Sequence, residues 1–330
     1  MLAIVKANAY GHGLVATVKL LGGADGFGVA RLDEALLLRQ AGVRQPILLL
    51  EGVLDAEQLL EAARHELQIV VHAAEQVALL ERTPAGQRFV VWLKINTGMN
   101  RLGIRPGELD ATLARLAGLP DRVAEVRLMT HFACAEQPAG ALTVAQMSSF
   151  DRLAAGRANV RSLANSAAIF GLPATHADWV RPGISLYGAS PFEDRTGADL
   201  GLVPAMRLLA TIIAAHDVPA GETVGYGGTW RARRDSRVAI VAAGYADGLF
   251  RGTRFDTPVL VRGRRATLAG HVSMDMMALD VTGIADVGVG DEAVLFGPEL
   301  PVEEIARHAG TIGYELLCAV SQRVPRVAVS

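Results

Sequence analysis

Lysine is scarce in this chain of 330 residues. Lysine and arginine together number 32, but only Lys6, Lys19 and Lys94 are lysine, and arginine supplies the rest. Of the two side chains, only lysine can lose its proton in an apolar site and then attack a carbonyl carbon. Because arginine is used almost everywhere else, a lysine directly behind the apolar segment LAIV (2–5) indicates that an amine is needed at position 6.

Cysteine is also scarce: the sequence contains two, Cys134 and Cys318. They are too few for a disulfide framework and lack the spacing of metal ligands, so we expect a reducing compartment and no metal site. No apolar run approaches the roughly 18 residues of a membrane span. No basic segment with a cleavage site precedes LAIV, so we expect no secretory signal and a cytoplasmic protein.

Charge of either sign is modest. Charged residues make up 20% of the chain, the net charge is −2 and 51% of the residues are hydrophobic, as is typical of a compact globular protein. Basic clusters with interleaved aromatic residues, which nucleic-acid-binding surfaces use, do not occur. The densest basic stretches, RARRDSR (231–237) and VRGRRA (261–266), are interpreted as solvated turns or strand faces. We therefore expect neither nucleic acid nor a membrane as a partner.

Short apolar segments alternate with amphipathic helical patterns through the first two thirds of the chain. Continuous Val, Ile and Leu runs are typical of parallel strands buried on both faces. Eight such segments in about 200 residues predict an α/β fold, a (β/α)8 TIM-type barrel over residues 1–202, with an open doubly wound sheet as the alternative. The predicted strands are LAIV (2–5), GFGVA (26–30), ILLL (47–50), QIVVH (68–72), FVVWLKI (89–95), EVRLMTHF (125–132), VRSLAN (160–165) and WVRPGISLY (179–187).

The pattern changes after about residue 203. Strand-like segments follow one another, with Gly- and Asp-bearing turns between them, and a single helical segment, VEEIARHAG (302–310), precedes the end. The strand-like segments include TIIAAHDV (211–218), ETVGYGGTW (222–230), RVAIVAAGY (237–245) and EAVLFG (292–297). Residues 203–330 are therefore predicted to form a second, mainly β domain.

Polar residues follow the predicted barrel strands at their carboxyl ends. Barrels of this kind gather their catalytic groups at that end, so these side chains are expected to converge on one rim. A cap or a surface charge could explain any one of them, but their shared position at strand ends favours a functional site. The residues are Lys6, Asn96, Arg101, His131, Asn165, Ser166 and Arg181.

LAIVKANAYGHG resembles the segment by which alanine racemases, fold-type III enzymes that depend on pyridoxal 5′-phosphate (PLP), attach their cofactor. This resemblance implies interconversion of L- and D-alanine, for peptidoglycan synthesis or alanine catabolism, by a homodimer with shared active sites. Members of the family carry a longer segment ahead of the lysine strand. Other segments resemble that family's blocks in the family's order: LKINTGMNRLG, MTHFA, ANSAA, WVRPGISLYGASP, VGYGGTW, GYADG, GHVSMDM and TIGYELLCAVSQRVPR.

The resemblance implies two bases on opposite faces of the substrate Cα. Lys6 would bind PLP covalently and serve one face, and Tyr226 of the partner subunit would serve the other. Arg181 would donate to the pyridine nitrogen, and His131 would link Arg181 to that tyrosine. Arg101 would face the cofactor and the substrate carboxylate.

Further residues are implied to bind cofactor or substrate. A backbone N–H at Met274 would meet the substrate carboxylate, and Tyr245 and Asp275 would line the access path. Lys94, inside an apolar strand, would be carbamylated and orient Arg101, with an ordinary ion pair as the alternative. The cofactor phosphate would be held by Tyr10, Asn165, Ser166, Gly183, Ile184 and Tyr314.

Three other functions are compatible with parts of the sequence. A serine or broad-specificity racemase would share the fold, although Tyr226, Tyr314 and Met274 are expected to restrict the space for the substrate side chain. A non-catalytic PLP-binding barrel protein would lack the second domain. A fold-type III decarboxylase would place a carboxylate at the ring nitrogen, where Arg181 is expected.

Overall fold

The computed structural model describes residues 1–82, 87–157 and 160–329. The chain divides into two compact units. The first comprises Met1–Ala9 and Gly13–Leu186, and the second comprises Tyr10–His12 and the residues from Tyr187 onward. Within the described ranges, no helix combines the length and the apolar character needed to cross a membrane.

The first unit contains a sheet of seven parallel strands, which are hydrogen-bonded in the order of the sequence. They are β1 (Leu2–Ile4), β2 (Gly26–Val29), β3 (Ile47–Leu49), β4 (Gln68–Val71), β5 (Phe89–Lys94), β6 (Val123–Met129) and β7 (Arg161–Ser162). A short segment with left-handed backbone angles, α1 (Lys6–Tyr10), follows β1. The helices are α2 (Leu14–Leu20), α3 (Leu32–Gln40), α4 (Ala56–Arg64), α5 (Ala74–Arg82), α6 (Leu109–Ala117), α7 (Ala141–Ala154) and α8 (Ser166–Gly171). The pattern that predicts α5 extends to Thr83, which lies outside the described residues.

Residues 179–182 close this sheet into a barrel. They lie between β1 and the β7 segment. Hydrogen bonds of 2.9 Å run from Leu2 N to Val180 O and from Ile4 N to Pro182 O on one side, and bonds from Trp179 N to Arg161 O (3.2 Å) and from Arg181 N to Ala164 O (2.9 Å) on the other. The predicted TIM-type barrel is thereby confirmed, and the doubly wound alternative is wrong, because the strand order never reverses. The eighth strand predicted over 179–187 is wrong in extent. Proline has no N–H to continue a ladder, and a 3-10 helix, Ile184–Tyr187, follows.

The strands of the first unit are buried as a parallel sheet requires. Leu48, Val70 and Val91 are fully buried at the centre of β3, β4 and β5. One helix of this unit begins at a side-chain cap: the Asp55 carboxylate accepts a hydrogen bond of 2.8 Å from Gln58 N at the start of α4. Each strand end is therefore held by a packed strand–helix unit, which gives the side chains that follow a fixed position.

The second unit is built on a closed antiparallel barrel, so the predicted mainly β domain is confirmed as a fold. The barrel order is β11-β14-β13-β12-β15-β8. Its strands are β8 (Leu208–Val218), β11 (Ser236–Val241), β12 (Pro258–Val261), β13 (Arg264–Leu268), β14 (Met277–Asp280) and β15 (Glu292–Phe296). A separate pair, β9 (Thr223–Val224) and β10 (Trp230–Arg231), and two helices, α9 (Val302–Ala309) and α10 (Gly313–Ala319), complete the unit.

Two features of the second unit differ from the sequence prediction. The strand-like segment 222–230 is broken by a 3-10 helix, Tyr226–Gly228, because Gly225 and Gly227 adopt φ angles of 76° and 72°, which an extended strand cannot contain. The second helix, α10, is not predicted from the sequence. It has only seven residues, too few for a clear helical period.

Candidate active site

Three polar residues that follow strands of the first unit line one cleft. Lys94 is the last residue of β5, Arg101 lies in the loop behind it, and His131 follows the end of β6. All three line the cleft, together with the predicted Asn96 and with Thr130. The expectation that side chains at successive strand ends would meet therefore holds for this part of the rim.

Arg181 is buried, with 4% of its surface exposed, and is held by several acceptors. Its Nη1 donates to Ser162 Oγ at 2.6 Å, and its Nη2 donates to the Thr130 carbonyl oxygen at 2.6 Å and to that of Leu163 at 3.1 Å. Nη2 also lies 3.4 Å from His131 Nδ1. Because a guanidinium only donates, a hydrogen bond at this contact would have Nδ1 as its acceptor and would leave the imidazole proton on Nε2.

The charges around this cleft are mostly positive. Burial lowers the pKa of Lys94 to about 8, to which the neighbouring cations Arg181, Arg101 and Lys6 contribute. Burial and the same group of cations lower the pKa of His131 well below its usual range, so its imidazole is neutral at pH 7. Burial also lowers the pKa of Arg181, to about 10, and it stays charged. Such a site favours an anionic ligand.

A second cluster lies at the end of β7. The Ser166 hydroxyl accepts a hydrogen bond of 2.8 Å from Gly183 N and contacts Ser185 Oγ at 3.1 Å. Asn165 caps α8, its side-chain oxygen accepting from Ala168 N at 3.0 Å. Ile184 begins the 3-10 helix that follows Gly183. The structure thus brings Ser166 and Gly183 together, and it gives Asn165 a structural role as a helix cap.

Lys6 opens a left-handed turn. Ala7, Asn8, Ala9 and Tyr10 all have φ angles between 51° and 54°. For residues other than glycine this conformation costs about 1–2 kcal/mol each, so the surrounding contacts must hold it. The Asn8 side-chain oxygen accepts from Leu14 N at 2.8 Å, and Ala9 N donates to the Val5 carbonyl oxygen at 2.9 Å. Lys6 itself is partly buried.

Tyrosines of the second unit form an aromatic cluster. The ring centroids of Tyr10 and Tyr187 lie 4.9 Å apart, and those of Tyr10 and Tyr314 lie 6.0 Å apart. Burial raises the pKa of Tyr10 and of Tyr187, so both remain neutral hydroxyl groups over the physiological range. Neutral phenols can donate hydrogen bonds to an anion, as expected for Tyr10 and Tyr314.

The remaining predicted residues lie on exposed loops of the second unit. Tyr226 is 71% exposed and Met274 is 54% exposed. Tyr245 N donates to the Ser273 carbonyl oxygen at 2.9 Å, which joins the two loops that carry the predicted access residues. A Cβ at Gly244 would lie 2.2 Å from the Met274 oxygen, so this close approach needs glycine.

The alanine racemase N-terminal domain matches residues 1–191, and the alanine racemase C-terminal domain matches residues 205–328. The chain belongs to the alanine racemase family. This membership confirms the resemblance seen in the sequence and the predicted enzyme class, an isomerase that acts on alanine.

Individual members of the family are similar over almost the entire chain. Alanine racemases of Shewanella baltica (strain OS185) and Nitrosospira multiformis are 48% and 49% identical to it, over 100% and 99% of this chain and 91% and 92% of theirs. The crystal structure of the biosynthetic alanine racemase from Pseudomonas aeruginosa matches with a TM-score of 0.95 and 48% identity, covering 98% of this chain and 90% of that chain. Alanine racemase from Bacillus anthracis with bound L-Ala-P matches with a TM-score of 0.85 and 31% identity, covering 100% of this chain and 88% of that chain.

Two polar residues that the sequence analysis does not identify, Gln146 and Thr130, hold the backbone of the cleft by hydrogen bonds. Gln146 is fully buried; its Nε2 donates to the His131 carbonyl oxygen at 3.0 Å and its Oε1 accepts from Ala133 N at 2.9 Å. Thr130 Oγ1 donates to the Ile95 carbonyl oxygen at 3.0 Å. The only signal for them in the sequence is that polar residues fall inside apolar surroundings.

Asp275 forms an ion pair with Arg323, a residue that the sequence analysis does not identify. Arg323 Nη2 donates to Asp275 Oδ1 at 2.7 Å, and Arg323 Nε donates to Asp247 Oδ1 at 2.7 Å. Asp247 closes the 3-10 helix that begins at Tyr245. Arg323 therefore ties Asp275, and the 3-10 helix that contains Tyr245, to the C-terminal segment, a link between distant positions that local sequence patterns do not reveal.

Proposed function

We propose that this member of the family racemises alanine with PLP, using Lys6 and Tyr226 as the two proton-transferring bases. The observation that carries the proposal is the charge balance of the cleft. Arg181 is buried against neutral acceptors, and Lys94, Arg101 and Lys6 add positive charge around it. An anionic ligand would compensate these charges.

The residues present fit PLP. Its phosphate would be held by hydroxyl and N–H donors, for which Tyr10, Tyr314, Ser166 and the backbone at Gly183 and Ile184 are the candidates, with Asn165 nearby. Its ring nitrogen would accept from Arg181, whose planar guanidinium keeps its proton. When bound through Lys6, PLP would supply an electron-withdrawing ring that acidifies the Cα–H of an amino acid.

The proton transfers are assigned to the protein. Lys6 would take or return a proton on one face of the substrate Cα, and the partner's Tyr226 would do so on the other face. A free tyrosine has a pKa of about 10 and is a poor base at neutral pH. A neutral His131 that accepts from Arg181 at Nδ1 has an N–H left at Nε2, which could donate to that phenolate and stabilise it.

Arg101 and Lys94 are assigned to orient the substrate. Arg101 would face the carboxylate of alanine, with the N–H at Met274 as a second donor. A lysine whose pKa is lowered to about 8 has a substantial neutral fraction near pH 8, and a neutral amine can react with CO2. The resulting carbamate would give Arg101 an anionic partner, as we propose for Lys94.

A homodimer follows from the role of Tyr226. This residue is 71% exposed within its own chain, as expected for a side chain that acts in a neighbour's site. Tyr245 and Asp275 would line the access path. A cytoplasmic location and a supply of D-alanine for peptidoglycan, or a role in alanine catabolism, belong to the same proposal.

The competing functions are less well supported. The match of residues 205–328 to the racemase C-terminal domain favours an enzyme over a PLP-binding barrel without turnover. Arg181 in place of a carboxylate disfavours the decarboxylase. A serine or broad-specificity racemase is tested directly by comparing kcat/KM for alanine and serine.

PLP capture and racemisation test the proposal together. Purified enzyme is freed of cofactor, incubated with PLP and reduced with borohydride, and the modified peptide is located by mass spectrometry. We expect the label at Lys6 and its loss in Lys6→Arg, together with loss of alanine racemisation followed by optical rotation. Labelling at another lysine with racemisation intact would overturn the assignment.

A further inference from the structure

The carboxylate of Glu34 joins the backbone behind Lys6 to the next strand–helix unit. Its Oε1 accepts a hydrogen bond of 2.7 Å from Ala7 N. Its Oε2 accepts from Ala30 N at 2.9 Å and from Arg31 N at 3.3 Å. One partly buried side chain therefore binds the residue that follows Lys6 and the two residues that lead into α3.

The same helix position in the next two units carries glutamine. Glu34, Gln58 and Gln76 are each the third residue of their helix. Gln58 Oε1 accepts from Leu54 N at 3.1 Å, within its own loop. Gln76 Oε1 accepts from His72 N at 2.8 Å, and its Nε2 donates to the Val53 carbonyl oxygen at 3.2 Å, in the loop after the preceding strand.

The choice between carboxylate and amide follows from what the preceding loop offers. The loop after β3 presents a carbonyl oxygen, so an amide that can donate suits position 76. The loop after β1 presents the N–H of Ala7, so position 34 needs an acceptor on both of its oxygens. A glutamine at position 34 would place its NH2 group, which cannot accept a hydrogen bond, against one of the backbone N–H donors, and that donor would lose its acceptor.

We propose that Glu34 is a positioning residue for Lys6, acting through the Ala7 amide. Ala7 is the first residue of the left-handed turn, so its hydrogen bond fixes the backbone from which the Lys6 side chain projects. The inference rests on the proposed function, since it concerns the amine that would bind PLP. Displacement of a reacting group by about 1 Å can cost about 100-fold in rate.

The test compares Glu34→Ala and Glu34→Gln with Gln58→Ala, a matched variant that also loses a side-chain cap at the third position of a helix. Cofactor-free protein is mixed with PLP, the rate of capture at Lys6 is followed by absorbance, and the site is verified by borohydride reduction and peptide mapping. Amide hydrogen exchange of the peptide covering residues 2–10 is measured by mass spectrometry, and folding is monitored by guanidinium unfolding.

We expect Glu34→Ala to slow PLP capture by about 10- to 100-fold and to speed exchange in the 2–10 peptide. Glu34→Gln is expected to show a smaller change in the same direction, and Gln58→Ala should capture PLP within about twofold of the wild-type rate. If both Glu34 variants capture PLP at the wild-type rate, the inference is wrong and the proposed function stands. If Gln58→Ala slows capture as much as Glu34→Ala, the effect is one of capping and the inference is overturned. If the wild-type enzyme captures no PLP at Lys6, the proposed function fails and the inference fails with it.

Discussion

Arg181 Nη2 lies 3.4 Å from Nδ1 of His131, which sets a buried cation beside the imidazole. A buried guanidinium opposes a second positive charge at that distance. Burial, followed by the charge of Arg181, lowers the pKa of His131 well below its usual range, so the ring is neutral at pH 7. If Nδ1 is the acceptor in this contact, the ring proton lies on Nε2, where it can be donated without a change of charge.

Titration of His131 tests this relationship. Burial, followed by the charge of Arg181, lowers the pKa of His131. The imidazole resonance of His131 in NMR, identified by its absence from His131→Gln, should therefore not shift between pH 8 and about 6.5. In Arg181→Met the same resonance should titrate at higher pH than in the wild type. A wild-type His131 that titrates at about 6.5 or above would contradict the assignment.

The free energy of unfolding should depend on pH through the same group. The unfolded chain takes up the His131 proton near pH 6.5 and the folded chain only at lower pH, so the unfolded state binds more protons there. Unfolding by urea at several pH values should show stability falling as the pH drops below about 6.5. The decrease should be smaller in His131→Gln. An equal decrease in both proteins would exclude His131 as the cause.

Carbamylation of Lys94 predicts a bound CO2. Because burial lowers the pKa of Lys94 to about 8, the neutral amine is accessible at pH 8. Enzyme equilibrated with 13C-bicarbonate should show one carbamate resonance in 13C NMR, absent from Lys94→Arg. Because Arg101 would lose its anionic partner, Lys94→Arg should bind alanine more weakly, which is measured as a higher KM. No carbamate signal in the wild-type enzyme would favour an ordinary ion pair at this position.

Arg127 is predicted to stabilise the first unit. Its guanidinium lies 5.2 Å from the ring centroid of Trp92 and 5.9 Å from that of Trp179, and it pairs with Glu125 at 2.7 Å. Arg127→Ala should lower the free energy of unfolding by about 1–3 kcal/mol. Arg64→Ala, which removes an exposed pair with Glu61, should cost about 0–1 kcal/mol. Equal losses in guanidinium unfolding would mean that the aromatic contacts contribute nothing measurable.

Subunit mixing tests whether the active centre is shared. Lys6→Ala and Tyr226→Phe should each be nearly inactive alone. If each centre combines Lys6 of one protomer with the partner's Tyr226, re-equilibrated mixtures should regain about a quarter of wild-type activity, since half of the dimers are mixed and each has one intact centre. An active monomer in analytical ultracentrifugation would place both bases in one chain. No recovery of activity on mixing would refute the pairing of Lys6 with the partner's Tyr226.

Much of the fold could be predicted from the sequence, because parallel strands and amphipathic helices repeat with regular periods. The exceptions have local physical causes. Pro182 ends the ladder of the eighth segment, and the glycines around Tyr226 interrupt an apparent strand. Asn8 alone of Ala7, Asn8 and Ala9 favours the left-handed region, and only as a single residue, so the run is held by contacts from elsewhere in the unit.

The candidate site was predictable to a similar degree. Residues at strand ends, such as Lys94 and His131, meet because the barrel topology places strand ends together. Glu34 and Arg323 were missed because each acts on a residue far away in sequence. The role proposed for Tyr226 rests on the resemblance alone, since an exposed tyrosine in a glycine-rich turn has no local signal of catalysis.

Exchange of the alanine Cα hydrogen with D2O tests the central claim most directly. L- and D-alanine are incubated separately with PLP-loaded wild-type enzyme, Lys6→Arg and Tyr226→Phe, and deuterium at Cα is read by NMR. The two-base account predicts that each variant loses exchange from a different enantiomer, because each base serves one face. Loss from the same enantiomer in both variants, or wild-type exchange of both enantiomers by Tyr226→Phe, would contradict it.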